Sequence, residues 1–357
     1  MTRLLPNNPA IRTMGRIDDE DPLRPVWIFP YTQASFCFTG TSLRIALGIR
    51  SMDFIRSFLN LGVCLDGRRI VVPLPPDENE PVITIAQGLP DIQHEVTIYK
   101  RQDGNQYLTI LGFDIDDGAA VLPPTQPRPN RRIEVYGDSV SCGERNEAIC
   151  YAGRNDPDVE LYGYSDSWMS YAALTARHLG AELHNVSQGG VALLDGSGWF
   201  PYPSQDYMGM THVWDRLEYH PAFSSSKHWN FKRYTPHVII VAIGQNDSHP
   251  FDAMKNDYDG SQARRWRTSY SAFLDKLRGV YPHAHIVCTT TVMSHDSAWD
   301  KAIDEIVASY NDPKVTRFLY TRNGSATSGH PRLGEHQEMA RELTAYLEGL
   351  GPNIWCD

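Results

Sequence analysis

The segment HVIIVAIG (237–244) constrains the fold of this chain more than any other, because its apolar residues are uninterrupted. A strand that is apolar on both faces must be covered on both faces, as in a parallel sheet flanked by helices. From residue 131 onward, strand-like and helix-like segments alternate around it, which predicts a doubly wound parallel sheet in a three-layer α/β/α domain. The other predicted strands are RIEVYG (132–137), AELHNVS (181–187), AHIVCTTT (284–291) and VTRFLY (315–320), and the helices are 165–180, 262–282 and 335–350.

The first third of the chain has a different pattern. Short runs rich in β-branched and aromatic residues, such as SFCFTG, RRIVVPL and YLTILGFDID, are separated by Gly, Asp and Pro at roughly ten-residue spacing. This pattern is typical of an antiparallel sandwich or jelly roll. The segment VLPPTQPRPNRR (121–132) contains four prolines and predicts a stiff linker. We therefore predict a β-sandwich domain over 1–122, a linker over 123–130 and the α/β domain over 131–357.

Charge and hydropathy exclude several classes of partner. The net charge of −10 argues against a nucleic-acid or anionic-membrane surface. No stretch reaches the length of about 18 apolar residues that a membrane span needs, and the N-terminus lacks the apolar core of a signal peptide. We therefore expect a cytoplasmic protein, or a secreted one whose leader has been removed. The six cysteines have no CxxC spacing and the histidines have no partners at a metal-binding spacing, so we predict no metal site.

Polar residues follow the strands of the predicted parallel sheet. Gly137-Asp138-Ser139 follows the first strand, Gln188-Gly189-Gly190 the second, and Gly244-Gln245-Asn246-Asp247 the third, while Ser328-Gly329-His330-Pro331 precedes the last helix. Ligands of such sheets bind beyond the carboxyl ends of the strands. We therefore expect these four blocks to meet at one rim.

The residues of the four blocks suit acyl transfer. Ser139 is a candidate nucleophile, and it needs a base within hydrogen-bond reach. His330 is the natural base, because the pKa of an imidazole lies near neutrality. The N–H groups of Ser139 and Gly190 and the side-chain amide of Asn246 are candidate donors of an oxyanion hole. Each block alone is more often an ordinary turn or loop, but four such turns in this order are much less common.

These four blocks, in this order, resemble the SGNH (GDSL-type) hydrolase superfamily. The match places Ser139, Gly190, Asn246 and His330 at the positions after which that superfamily is named. Gly190 fits better than Gly189, because the glycine of the superfamily commonly lies about five residues after the asparagine that ends the second strand. The N-terminal segment FTGTSLRIAL, the segment GMTHVWDRL (209–217) and the His-Pro pair further resemble carbohydrate esterase family 2.

The resemblance implies a serine esterase that removes O-acetyl groups from carbohydrates and needs no metal or organic cofactor. The expected partner is an acetylated polysaccharide or oligosaccharide. A lipase, thioesterase or arylesterase with the same catalytic residues remains an alternative, as does a carbohydrate-binding protein that has lost turnover. The β domain could also bind polysaccharide independently.

A stretch of about 45 residues between the second and third blocks is rich in aromatic residues and poor in secondary-structure pattern. Loops of this length in compact domains are usually functional. Flat aromatic faces suit sugar rings, so we predict Trp199 and Trp214 as substrate contacts. Tyr202 lies in the same stretch. The alternative for each aromatic residue is that it packs the loop onto the body of the domain.

The group that orients His330 has no obvious candidate in the sequence. Many SGNH hydrolases carry an Asp three residues before the histidine, but Thr327 occupies that position here, and no Asp or Glu occurs from 313 to 334. A histidine base still needs its other ring nitrogen held by an acceptor. We predict a Ser139–His330 dyad with a loop carbonyl as that acceptor, and the alternative is a carboxylate from a distant segment.

Overall fold

The structure, a computed structural model, describes residues 1–200, 207–223 and 226–356. Its N-terminal region, residues 1–122, is built from antiparallel strands joined by short turns. These strands are β1 (Thr2–Leu4), β2 (Arg12–Met14), β3 (Ile17–Asp18), β4 (Val26–Trp27), β5 (Gln33–Gly40), β6 (Leu43–Ser51), β7 (Asn60–Leu65), β8 (Arg68–Pro73), β9 (Val82–Ala86), β10 (Ile92–Lys100), β11 (Gln106–Ile115) and β12 (Val121–Leu122).

The strands of this region form two sheets that face each other. One has the order β3-β4-β11-β6-β9 with β1 paired to β11, and the other has the order β12-β5-β10-β7-β8 with β2 paired to β5. Apolar side chains from both sheets, including Phe36, Phe38, Ile45, Val63 and Ile98, are buried in one core between them. The prediction of an all-β sandwich before the α/β domain is confirmed.

The C-terminal region, residues 131–356, contains a five-stranded parallel sheet with the order β14-β13-β15-β16-β17. Its strands are β13 (Arg131–Gly137), β14 (Ala181–Ser187), β15 (Val238–Ala242), β16 (His285–Thr289) and β17 (Val315–Arg317). Its helices are α1 (Ser139–Cys142), α2 (Tyr171–His178), α3 (Met210–Val213), α4 (Ala253–Asn256), α5 (Ser261–Val280), α6 (Ser297–Ser309) and α7 (Leu333–Gly349). Short 3₁₀ turns complete the chain at Asp53–Phe58, Ile149–Tyr151, Tyr162–Tyr164, Ser167–Met169, Pro221–Phe223, Phe231–Arg233, Gln245–Ser248 and Pro352–Trp355.

Helices cover both faces of the parallel sheet. Val238 and Ile240 of β15 pack with α2 and α7, whereas Ile239 and Val241 pack with α5 and α6. This arrangement explains why the apolar run in β15 is uninterrupted, since every side chain of the strand is buried. The predicted three-layer α/β/α fold is confirmed. The order of strands changes direction beside β13, so its carboxyl end lies at the point where such folds bind ligands.

Some predicted elements differ in detail from the structure. Helix α2 begins at Tyr171 rather than at residue 165, because the Ser170 hydroxyl caps it by accepting the Ala173 N–H at 3.2 Å. Strand β17 ends at Arg317, three residues earlier than predicted. Helix α6 was not predicted, although its buried residues, Trp299, Ala302, Ile303 and Ile306, have the spacing of an amphipathic helix.

The two regions share buried contacts. The Arg16 side chain is fully buried, and its Nε donates to Glu134 Oε1 at 3.0 Å on strand β13. Its two remaining nitrogens donate to Tyr136 Oη at 2.7 Å and to the Trp214 carbonyl at 2.6 Å. The N-terminal region therefore places a buried charged group against β13, the strand that leads to Ser139. We propose that residues 123–130, between β12 and β13, are the linker between two domains.

Candidate active site

Ser139 lies at the sharp turn from β13 into α1. Asp138 caps this helix, because its Oδ1 accepts the Val140 N–H at 3.0 Å. The Ser139 side chain is nearly buried at the carboxyl end of the central strand. A strand followed at once by a short helix therefore presents Ser139 at the edge of the sheet where ligands of this fold bind.

Asp138 joins the first block to the third. Its Oδ2 accepts a hydrogen bond of 2.8 Å from Gln245 Nε2, and burial raises the pKa of Asp138 to about 6. In the third block, Asp247 accepts the Leu193 N–H at 2.8 Å, and burial raises the pKa of Asp247 to about 7. Both carboxyl groups are occupied by contacts between loops, which gives them a structural role rather than that of a base.

His330 is held by a carboxylate and not by a loop carbonyl. Its Nδ1 lies 2.5 Å from Asp156 Oδ2. The predicted dyad with a carbonyl acceptor is therefore wrong, and the alternative of a distant carboxylate is correct. Thr327, three residues before His330, has its carbonyl bound to the Ser294 N–H, and its hydroxyl has no partner among the described residues.

Two arginines fix the Asp156 carboxylate. Arg332 Nη2 donates to Oδ1, and Arg145 Nη1 donates to Oδ2 at 2.9 Å. Burial opposes ionisation of Asp156, but the hydrogen bond from His330 and the two arginines hold the pKa of Asp156 well below its usual range. The Gly329 N–H also donates to the Arg154 carbonyl at 3.0 Å, which joins the loop of Asp156 to the loop of His330.

Glu144 connects the nucleophile turn to the histidine. The Glu144 N–H donates to the Ser139 carbonyl at 3.0 Å, and Glu144 Oε1 lies 3.8 Å from His330 Nε2. Within the described residues, no hydrogen bond joins the Ser139 hydroxyl to His330. In enzymes without substrate, this contact is commonly long and shortens when substrate binds. The arrangement leaves Nε2 of His330 free to accept a proton.

The predicted oxyanion donors lie on the loops that follow β13, β14 and β15. Among the described residues, the N–H groups of Ser139 and Gly190 have no acceptor, so both are available to a ligand. Gly190 has a positive φ of 74°, and a Cβ atom there would lie 2.9 Å from the Cβ of Trp199. Only glycine fits this position without strain.

The amide of Asn246 is anchored at one of its two hydrogens. Asn246 Nδ2 donates to the Val191 carbonyl at 3.0 Å, and its distance to Asp138 Oδ2 is 3.5 Å. The second contact is long for a hydrogen bond, so the second hydrogen is the one available to a substrate oxygen. The four sequence blocks thus supply a serine, a histidine and three candidate donors to one end of the sheet.

The two predicted aromatic contacts have different environments. The Trp199 side chain is 47% exposed and stacks on His249, with ring centroids 3.4 Å apart. The backbone N–H of Trp199 donates to the Gly190 carbonyl at 2.7 Å, which places the Trp199 backbone beside the candidate oxyanion donors. Trp214 is buried against Phe231 and Phe273, which favours the alternative that it packs the loop onto the domain. Tyr202 lies outside the described residues.

Sequence reasoning missed Asp156, Arg145 and Glu144, which all lie between α1 and α2. The segment CGERNEAICYAGRNDPD (142–158) has neither strong periodicity nor a motif that marks an acidic residue as the partner of a histidine. Asp156 and His330 are 174 residues apart in the chain. The lack of acidic residues from 313 to 334 was the one available signal, and it led to the prediction of a carbonyl acceptor.

The described residues contain neither a helix that could span a membrane nor a cluster of metal ligands. In the described part of the chain, none of the helices combines the length and the apolar character that crossing a membrane requires. Among residues 1–200, 207–223 and 226–356, no three His, Cys, Asp or Glu side chains are grouped so that they could hold a metal ion.

Comparison with known proteins gives a consistent set of relatives. A family model described as carbohydrate esterase 2 N-terminal matches residues 13–124. The cellulase/esterase CelE of Acetivibrio thermocellus is 28% identical over 96% of this chain, and the chain spans 40% of the length of that protein. An acetylxylan esterase / glucomannan deacetylase of Cellvibrio japonicus is 24% identical, with 96% of this chain and 90% of the relative covered.

Solved structures agree with these relatives. An active-site mutant of a family two carbohydrate esterase from Clostridium thermocellum has a TM-score of 0.78 and 25% identity, with 96% of this chain and 98% of that chain covered. A family two carbohydrate esterase from Cellvibrio japonicus also has a TM-score of 0.78, at 23% identity, with 100% and 99% of the two chains covered. The second likeness shows a common fold across both regions.

Proposed function

We propose that this chain, which resembles the family-two carbohydrate esterases over its whole length, is a serine esterase that removes O-acetyl groups from carbohydrates. The observation that carries the proposal is the arrangement at the end of the parallel sheet. Asp156 holds Nδ1 of His330 at 2.5 Å, and the N–H groups of Ser139 and Gly190 have no acceptor among the described residues. A serine, an oriented base and unoccupied donors are the groups that acyl transfer needs.

The first half-reaction forms an acyl-enzyme. Ser139 Oγ attacks the carbonyl carbon of the acetyl ester while His330 Nε2 takes the hydroxyl proton. The imidazolium that forms is stabilised by Asp156 at Nδ1. The oxyanion of the tetrahedral intermediate accepts hydrogen bonds from the Ser139 and Gly190 N–H groups and from the Asn246 amide. When the intermediate collapses, His330 donates its proton to the leaving sugar oxygen, and an acetyl group remains on Ser139.

The second half-reaction restores the enzyme. Water replaces the sugar next to His330, which takes one proton from it as the oxygen attacks the acetyl carbonyl. The same donors stabilise the second oxyanion. Collapse of this intermediate breaks the bond to Ser139 Oγ, which recovers its proton from His330, and acetic acid leaves and loses its remaining proton to the solvent. The protons balance within the Ser139–His330 pair, so the mechanism needs no cofactor.

The carbohydrate part of the proposal rests on the relatives and on Trp199. The two curated relatives are named as a cellulase/esterase and as an acetylxylan esterase / glucomannan deacetylase. Trp199 presents a half-exposed indole beside Gly190, and a flat aromatic face is suited to packing against a sugar ring. We therefore assign Trp199 as a sugar platform next to the oxyanion donors.

Acetate release tests the proposed reaction. Wild-type protein should release acetate from acetylated xylan, glucomannan and acetylated monosaccharides, and should hydrolyse acetyl esters faster than hexanoyl or longer esters. Ser139→Ala should remove turnover of p-nitrophenyl acetate, whereas Ser325→Ala, which changes an exposed serine, should retain it. A Ser139→Ala protein with a tenth of the wild-type rate would refute the assignment. A preference for long acyl chains would instead indicate a lipase or thioesterase.

A second measurement tests the sugar platform. Trp199→Ala should lower kcat/KM for an acetylated oligosaccharide more than for p-nitrophenyl acetate, because the small ester needs no sugar contact. Phe54→Ala removes an equally exposed aromatic side chain from the N-terminal region and should change neither rate. Equal losses on both substrates would indicate that Trp199 packs the loop and does not bind sugar.

A further inference from the structure

Glu144 places a carboxylate between the nucleophile turn and the catalytic histidine. Its N–H donates to the Ser139 carbonyl at 3.0 Å, and its Oε1 lies 3.8 Å from His330 Nε2. A Cβ atom built on Gly189 would lie 2.6 Å from Glu144 Oε2. The carboxylate is therefore enclosed by the nucleophile turn, the catalytic histidine and the loop that carries Gly190.

The Glu144 carboxylate has unused capacity to accept hydrogen bonds. Arg145 Nε lies 3.3 Å from its Oε1, but that nitrogen makes no hydrogen bond within the described residues, so the two groups attract each other without bonding. No described side chain donates a hydrogen bond to either oxygen of Glu144. An ionised carboxylate is purely an acceptor with about four sites. It therefore requires donors from water or from a ligand.

The position of Glu144 relative to His330 restricts what it can do. At 3.8 Å from Nε2, its oxygen is too distant for a hydrogen bond to the imidazole. Nε2 must also remain free to take the proton of Ser139, and Asp156 already orients the ring through Nδ1. A second carboxylate is therefore not needed to hold the histidine, and its Oε1 lies on the Nε2 side of the ring, where the proton is transferred.

From this geometry we infer that Glu144 binds a free hydroxyl group of the sugar, next to the acetylated oxygen. The inference rests on the proposed function. His330 Nε2 must deliver its proton to the oxygen that bears the acetyl group, so that oxygen lies close to Nε2. A hydroxyl on the neighbouring carbon then lies within reach of Glu144. Hydrogen bonds to a charged acceptor are stronger than neutral ones, so Glu144 selects esters of polyols with a free neighbouring hydroxyl.

Three substrates separate this role from the alternatives. The first is a monoacetylated methyl hexoside with a free hydroxyl beside the ester, the second is its deoxy analogue without that hydroxyl, and the third is p-nitrophenyl acetate. In Glu144→Gln the shape is kept and the charge is lost. We expect kcat/KM for the first substrate to fall about 10- to 100-fold, the loss that follows removal of one charge-assisted hydrogen bond. Any loss on the other two substrates should be equal for both and at least about tenfold smaller, because neither carries the hydroxyl that Glu144 binds.

Glu160→Gln is the matched control. Glu160 lies in the same segment between α1 and α2, and its Oε1 accepts the Tyr162 N–H at 2.6 Å. The same loss of charge there should leave all three rates within about twofold of wild type. Retained turnover of p-nitrophenyl acetate by Glu144→Gln also shows that the variant is folded. Glu144→Asp, which keeps the charge on a shorter side chain, should retain part of the preference for the hydroxylated substrate.

The other outcomes overturn the inference and are distinguishable from one another. Equal losses of Glu144→Gln on all three substrates would mean that Glu144 acts through His330. Equal losses on the hydroxylated and deoxy sugars alone would mean that it contacts another part of the ring. Unchanged rates would mean that it has no role in binding. A wild-type protein that cleaves p-nitrophenyl acetate but no acetylated sugar would refute the proposed function itself.

Discussion

The Asp156 carboxylate that contacts His330 is itself held by two arginines. Arg332 and Arg145 both donate to it, so its charge is partly compensated before the imidazolium forms. The arginines also leave Asp156 few orientations in which its Oδ2 can contact Nδ1 of His330. Their main effect is therefore to fix the tautomer of the histidine, with the proton on Nδ1 and the lone pair on Nε2.

Asp156→Asn should strongly reduce turnover without unfolding the protein. An amide at this position can donate to Nδ1 and so favours the wrong tautomer of His330. We expect kcat to fall roughly 10³- to 10⁴-fold on p-nitrophenyl acetate, with little change in KM. Asp158→Asn, at an exposed position two residues later, should keep the wild-type rate. A tenfold loss or less in Asp156→Asn would show that a backbone group is sufficient to orient the histidine.

Asn246→Ala should lower kcat on every acetyl ester. It removes one donor from the oxyanion, which typically costs roughly 10²- to 10³-fold. It also removes the hydrogen bond to the Val191 carbonyl, so the melting temperature should be measured alongside the rate. Steady-state kinetics on p-nitrophenyl acetate and on an acetylated sugar provide the test. If KM rises and kcat is unchanged, Asn246 binds the ground state instead.

The candidate site residues that could be predicted from the sequence are those that directly follow strands. Ser139, Gly190 and Asn246 come at the ends of β13, β14 and β15, and the topology of a parallel sheet brings strand ends together whatever the loops do. Asp156 belongs to an irregular loop whose path depends on tertiary contacts such as the one between Gly329 and Arg154. Periodicity carries no information on such contacts, so the sequence led to the wrong prediction of a carbonyl acceptor for His330.

Among the elements, the turn between β10 and β11 has a direct contact with the loop that carries Gly190. Asp103 is buried on this turn, and its Oδ2 accepts the Gly189 N–H at 3.0 Å and Gln188 Nε2 at 2.7 Å. Gly104 adds a hydrogen bond of 3.1 Å from its N–H to Gln188 Oε1. A hairpin of the N-terminal region therefore sets the position of a loop of the C-terminal region.

Asp103→Asn should weaken the oxyanion hole without touching substrate. The amide would present a donor to the donors of Gln188 and Gly189, so the loop would shift and the Gly190 N–H would lose its alignment. We expect kcat to fall roughly 10-fold on both p-nitrophenyl acetate and acetylated sugar, with KM almost unchanged. Asp91→Asn, at an exposed position in the same region, should have no effect. A loss confined to the sugar substrate would contradict this positioning role.

Helix α6 shows where element prediction failed and why. Its buried residues recur with helical spacing, so the pattern was present in the sequence. The preceding segment, TTTVMSHDS (289–297), has the β-branched and polar residues of a strand end followed by a loop. For this reason the start of the helix at Ser297 was not predicted. For strand β17 the predicted element was too long. Phe318 and Tyr320 lie beyond the end of the strand and pack against each other, with ring centroids 4.8 Å apart.

Considered as a whole, the molecule has two regions with a common interior. Ile28, Phe29 and Tyr107 of the N-terminal region pack in the same core as Tyr136 and Phe273 of the C-terminal region. Arg16 adds a buried ion pair to Glu134. The sequence predicts two domains from composition and spacing, but the contacts between them depend on side chains that only the folded chain brings together. We therefore expect the described regions to unfold in one cooperative transition.

Arg16→Ala should test this coupling. Removing Arg16 leaves the Glu134 carboxylate buried without its charged partner, which typically costs about 3–5 kcal/mol of the free energy of unfolding. Arg24→Ala breaks an exposed pair with Glu80 and should cost at most about 1 kcal/mol. Urea unfolding followed by far-UV circular dichroism and by tryptophan fluorescence gives both values. Two separate transitions in the wild-type protein would show that the regions fold independently.

The wide spacing of the site along the chain has a consequence for biosynthesis. Ser139 leaves the ribosome well before His330, and at about 5–20 residues per second the interval between them is roughly 10–40 s. During that time Asp156 has Arg145 but neither His330 nor Arg332 as a partner. A nascent chain thus carries Ser139 without a base and cannot carry out the proposed reaction while it is being translated. We expect hydrolysis only after the segment that leads into α7 has left the ribosome and packed against the domain. Measuring ester hydrolysis by ribosome-bound chains stalled at increasing lengths would therefore show at which length the fold is complete.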